Sequence, residues 1–131
     1  MEKIVYTNTT INPSPTIVAP AASKIEDVRA KGVKFDGNGN IVVASSAGEA
    51  VIGVALITND FPVEAGQDVD IQVKEMGVCE AGAEIKAGNE LAVGADGRFV
   101  PASEGQFVIG VALANASAGQ LVRMQIAKCY K

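Results

Sequence analysis

Asp68 and Asp70 stand two apart with Glu64 shortly before them, and in this chain of 131 residues no other spacing comes as near to a metal site or a paired acid. On a strand the two aspartates share one face, as a Ca²⁺ site or a proton-sharing carboxylate pair requires. Ser45, Ser46 and Ser103 are nucleophiles by type, but they sit in Ala/Ser/Gly loops with no G-x-S-x-G elbow around them. The chain contains no His, so the commonest base for activating a serine and the commonest zinc ligand are both missing. There is no G-x-x-x-x-G-K-[ST] phosphate loop. "DGNGN" at 36–40 has neither the G-x-G-x-x-G spacing nor a following helix, and it reads as a hairpin turn.

Further along the chain the positions matching Asp68 and Asp70 are Leu121 and Arg123, so the acids read as a solvated strand face. No residue is assigned as catalytic, cofactor-binding or metal-ligating. The expectation is a non-enzymatic protein with no cofactor. Cys79 and Cys129 fit neither a CxxC metal site nor a redox pair and read as reduced, partly buried thiols.

Composition narrows the partners. The chain has 11 basic and 15 acidic residues for a net charge of −4, and neither sign forms a run that could follow a phosphate backbone, so nucleic acid is not expected. No apolar stretch approaches the roughly 20 residues that span a bilayer, and the N-terminus lacks a secretory pattern. A soluble protein made in the cytosol, without a membrane partner, is expected. Aromatics are 5% and Trp is absent, so the core must be built from Val, Ile, Leu and Ala.

The elements follow from local chemistry. Residues 1–22 carry Pro13, Pro15 and Pro20 among Thr, Asn and β-branched residues, which predicts an extended N-terminal arm. Residues 23–32 predict one short helix: Ser23 and Glu26 have capping-box spacing, Ile25 and Val28 would face inward, and Gly32 would end the helix.

The remainder repeats itself, with a first β module at 33–75, a connector at 76–90 holding one or two short strands around Val78 and Ile85, and a second module at 91–131. Asn38-Gly39 aligns with Asp96-Gly97 as matching hairpin turns. "VIGVAL" at 51–56 aligns with "VIGVAL" at 108–113, and Ala65-Gly66-Gln67 with Ala118-Gly119-Gln120, leaving four extra residues in "ITNDFPVE" of the first copy. Each copy ends in strict alternation, Val69, Ile71 and Val73 against Val122, Met124 and Ile126, which predicts half-buried strands. VIGVAL is apolar on both faces, so a core should cover one face and a neighbouring module or subunit the other. Gly53 and Gly110 mark close backbone approach. The fold class is therefore all-β, two tandem similar small modules, barrel-like or sandwich-like, preceded by the arm and the helix.

The order A-G-x-x-I-x-A-G-x-x-L from Ala81, the Asp96-Gly97 turn, Pro101-Ala102, I-G-V-A-L from Ile109 and Ala118-Gly119-Gln120 resembles the head fiber and capsid decoration (cement) proteins of tailed phages. That resemblance implies a structural virion protein bound to the major capsid protein on the capsid exterior and made in the bacterial host cytoplasm. It also implies a homotrimer at three-fold positions. Six similar modules would then form a ring, joined over the VIGVAL strands, with the arm as capsid contact. The chain stops at Lys131, directly after the repeat, which fits a short decoration protein or the base of something longer. A second resemblance, of "EAGAEIKAGNEL" to biotinyl and lipoyl carrier domains, would need a modified Lys at a hairpin tip. The "VKEMG" context of Lys74, in a predicted strand, departs from that pattern.

Overall fold

The computed structural model describes residues 14–131. The chain forms β1 (Thr16–Pro20), β2 (Gly32–Phe35), β3 (Ile41–Val43), β4 (Gly53–Ala55), β5 (Asp68–Gln72), β6 (Met76–Glu80), β7 (Glu90–Val93), β8 (Phe99–Pro101), β9 (Phe107–Ala112) and β10 (Leu121–Tyr130). Among the described residues there is no helix. Two five-stranded antiparallel sheets result, ordered β1-β5-β4-β2-β3 and β6-β10-β9-β7-β8, the same order displaced by five strands.

Each sheet curls on itself. Ala21 makes a parallel bridge to Ile41 and Ala81 one to Phe99, with Ala22 N–H donating to the Ile41 carbonyl at 2.9 Å and Gly82 N–H to the Phe99 carbonyl at 2.7 Å. The continuation of the first strand thus meets the last, and each half is a small barrel whose sheet edges are largely paired.

The hairpin turns lie where their residues predict: Gly39 and Gly97 have φ of 85° and 83° between β2 and β3 and between β7 and β8. Gly-Gln is a turn device as well, in A-G-Q twice and in E-G-Q at 104–106. Gln67, Gln106 and Gln120 accept through their side-chain oxygens from the amides of Glu64, Ser103 and Ser117, three residues earlier.

The first core gathers Ala19, Ala21, Val28, Val33, Ile41, Ala55, Val63, Val69 and Ile71 inside barrel one. The second is larger and holds Leu91, Phe99, Ile109 and Met124 of barrel two together with Ala44, Val51 and Val54 of barrel one. Ala55 thus faces its own barrel while Val54 faces the neighbour, and both are buried. In the first copy the two-sided apolar strand is covered within the chain, by the neighbouring module, whereas in the second Val111 is only partly buried and Leu113 is exposed. At Gly53 an added Cβ would stand 2.1 Å from the Gln72 carbonyl oxygen, and at Gly110 one would stand 2.3 Å from that of Gln125, so no side chain fits either place.

One expectation is corrected, and two segments gain partners. Residues 23–32 form no helix, because their amides are captured by distant segments: Ile25 exchanges hydrogen bonds with Val63 at 2.9 Å each way, and Ala30 N–H donates to the Ala55 carbonyl of β4 at 2.9 Å. A two-turn helix would form few internal bonds against its nucleation cost. Glu26, expected to cap, instead pairs with exposed Lys24 at 3.5 Å. Ile25 and Val28 still face the core. Within the expected arm, Thr16–Pro20 is β1, paired with β5; the part at 1–13 lies outside the described residues. The expected connector supplies β6, paired with β10, and Ile85, which is fully buried and bridged to Ala116.

Candidate functional site

The acids that come nearest to a metal site do not converge. Asp68 and Asp70 are exposed on β5, and among the described residues no three His, Cys, Asp or Glu side chains are grouped to hold an ion. Ser45 and Ser46 are exposed turn residues whose amides donate to the Glu49 carboxylate at 2.8 Å each. Ser103 is likewise exposed. Cys79 is buried, and burial pushes its thiol up to about 12. Cys129 is exposed. Lys74, expected within a strand, lies exposed in the link between β5 and β6, where its carbonyl accepts from the Gln72 side chain at 2.7 Å. That link joins two different barrels rather than the arms of one hairpin, unlike the tip that displays a carrier lysine.

What the fold does present is a seam between its two barrels. The barrels are stitched together by main chain: Gly32 N–H to the Gly97 carbonyl at 2.8 Å, Gly48 N–H to Val93 at 2.8 Å, and Glu80 N–H to Ala30 at 3.0 Å. Lys31 and Arg98 both reach Glu80, at 2.9 and 3.7 Å. Burial tends to raise the Asp96 carboxyl, but the side-chain bond from Arg98 and the Arg98 amide outweigh it and hold that carboxyl below its ordinary range. Beside this seam lies an apolar cleft of about 240 Å³, lined by Leu56, Ile57, Thr58 and Gln72 of barrel one and Met76, Gly77 and Val78 of barrel two. Ile57 and Met76 are about half exposed on its rim.

The loop leaving β4 carries the four extra residues of the first copy, and it is built rather than loose. Asn59 is buried. Its amide nitrogen donates to the Leu56 and Asp70 carbonyls at 2.8 and 2.9 Å, and its oxygen accepts from the Asp70 amide at 2.9 Å. Asn59 thus pairs with Asp70 as a neighbouring strand would. At the loop's end Phe61 stays exposed, with the Arg29 guanidinium 3.6 Å from its ring centroid. Asp27 holds that guanidinium through two bonds of 2.9 Å, and the Arg29 side chain in turn keeps the Asp27 carboxyl below its ordinary range. Cation and ring form a fixed platform.

Other apolar side chains lie open on the barrel exteriors: Val18, Leu113, Leu121 and Tyr130. The Asn59 anchor and the Arg29–Phe61 contact were not found from sequence. The one signal for them was the position of the insertion, since an added loop on one of two similar modules marks where they differ.

The chain matches the phage cement protein family over residues 37–126. Among solved structures, the head fiber gp8.5 N base of bacteriophage phi29 is similar at 27% sequence identity and a TM-score of 0.64, over 88% of this chain and 98% of that one. No curated protein matches significantly.

Proposed function

The chain belongs to the phage cement protein family, and from that premise we propose that it is a structural virion protein binding the outside of a tailed-phage capsid, as a decoration protein or as the base of a head fiber. The observation that carries this reading is the likeness to a head fiber base, which extends over nearly the whole of both chains. Its direct partner is the major capsid protein, its place is the capsid exterior, and it is made in the host cytoplasm. It acts by binding, stabilising the shell or carrying surface attachment, and not by catalysis.

The proposed assembly is a homotrimer, in which two similar barrels per chain give six around an axis. Co-sedimentation with empty capsids tests the binding: saturable pelleting with the capsid is expected, and protein that stays in the supernatant at micromolar concentration overturns it. The segment ahead of Ser14 is the proposed capsid contact. Its test is a deletion ending at Pro13, because a longer one removes β1 from its barrel. Undiminished pelleting would reject that role.

A further inference from the structure

Gln67 and Gln120 are the matching glutamines of the two A-G-Q turns. Each side-chain oxygen accepts from the amide three residues earlier, that of Glu64 at 3.0 Å and that of Ser117 at 2.8 Å. A backbone N–H can only donate, so this bond fixes which end of the side chain is oxygen and leaves the nitrogen free to donate elsewhere. In barrel one it does so, to the Asp60 carboxylate at 2.7 Å.

Barrel two has no counterpart of Asp60. Val63 and Ala116 make matching bridges, to Ile25 and Ile85, and residues 57–62 lie between Leu56 and the first, whereas only Ala114 and Asn115 lie between Leu113 and the second. Asp60 belongs to the longer loop alone. Gln120 Nε2 therefore has no acceptor among the described residues.

It borders instead an open polar cleft of about 250 Å³, lined by Glu84, Lys86, Asn115 and Ser117 as well. Asn115 is oriented as Gln120 is: its side-chain oxygen accepts from the Ala87 amide at 2.8 Å, which leaves its nitrogen as donor. Both amides have their oxygens taken and offer donors only. Lys86 adds a cation, and its Nζ lies 2.8 Å from the Glu84 carboxylate, so the acid on this rim is already balanced.

We propose that this cleft of barrel two binds a carboxylate brought by another molecule, an Asp or Glu side chain on a loop of a protein partner, as Gln67 holds Asp60. Gln120 Nε2 and Asn115 Nδ2 donate to the carboxylate oxygens, and Lys86 supplies the charge. The first barrel carries its own acid, and the second borrows one. A peptide acid is favoured over a sugar acid because the precedent within the chain is an aspartate on a loop. This goes beyond the capsid-binding reading and does not depend on it.

Nuclear magnetic resonance of the isotope-labelled full chain tests it, with N-acetyl-aspartate N-methylamide as probe. Saturable shifts of the Asn115 and Gln120 side-chain amides are expected, while the Gln67 amide, held by Asp60, stays where it is. Gln120→Glu keeps an oxygen for the Ser117 amide but exchanges the donor for a negative charge. Read on Asn115, it should weaken the probe about tenfold with the Tm unchanged. The neutral asparagine analogue of the probe should bind more weakly by a similar factor.

Shifts that rise without saturating, or a response that Gln120→Glu leaves intact, would overturn the site. A methyl glucuronide that binds more tightly than the aspartate probe would overturn the protein partner. Co-sedimentation with capsids is read separately, so the capsid-binding reading stands or falls on its own result.

Discussion

Ala30 and Gly88 occupy the same place in the two barrels. Each has positive φ, 61° and 89°, and each donates its amide to an alanine carbonyl on the fourth strand of its barrel, Ala30 to Ala55 and Gly88 to Ala112. Glycine takes this conformation freely, whereas alanine holds it against its own Cβ. Space around Gly88 is open, so Gly88→Ala should cost about 1 kcal/mol, the backbone term alone. Thermal unfolding would read it as a Tm lowered by several degrees.

Gly110→Ala is the more damaging change, because its new methyl meets the Gln125 carbonyl oxygen, part of a strand that cannot give way. A loss of about 3 kcal/mol is expected from such overpacking. Gly53→Ala should behave alike, and urea unfolding measures both.

Asn59→Ala removes three hydrogen bonds at a buried position and leaves the Asp70 amide without its partner. A cost of about 2 kcal/mol follows. The opening is local, so limited proteolysis within residues 57–62 should speed up more than global unfolding does.

Acid should loosen the turn between β3 and β4. Burial would by itself raise the Glu49 carboxyl, but the Lys34 bond and the Ser46 and Ser45 amides outweigh it and hold it below its ordinary value of 4.5. A carboxyl depressed in the folded state stabilises fully above its unfolded pKa, and that stabilisation is lost as pH falls through the folded one. Stability should thus decline below about pH 4.5, and Glu49→Gln should be less stable at neutral pH with a shallower acid decline. Denaturant midpoints across pH read both.

A thiol reagent at neutral pH should find one cysteine. Cys129 is exposed and reacts in the native protein, while Cys79 is buried with its thiol raised to about 12. Counting labels by mass should give one before denaturation and two after. Rapid double labelling of native protein would contradict the burial of Cys79.

The strands and turns could be read in the sequence because their signals are local. Asn38-Gly39 and Asp96-Gly97 need only their own backbone preferences, and Val69 with Ile71 needs only alternation. Ser23 to Gly32 misled for the complementary reason: its spacing suits a helix, yet Val63 and Ala55, far along the chain, compete for its amides and win. Thr16–Pro20 was hidden by its prolines, which an end position on an outer strand tolerates. The candidate surfaces were less legible still. Asn59 and Phe61 look ordinary in a loop, and their roles depend on the Asp70 backbone and on Arg29, which only the fold brings beside them.

The backbone bonds from Gly32 to Gly97 and from Glu80 to Ala30 also set how the molecule comes apart. Were either barrel to melt alone, it would strip the other of main-chain partners and uncover Val54 from the core it shares. The seam thus ties the two halves together, so that a chain with two centres of packing should melt in one calorimetric transition.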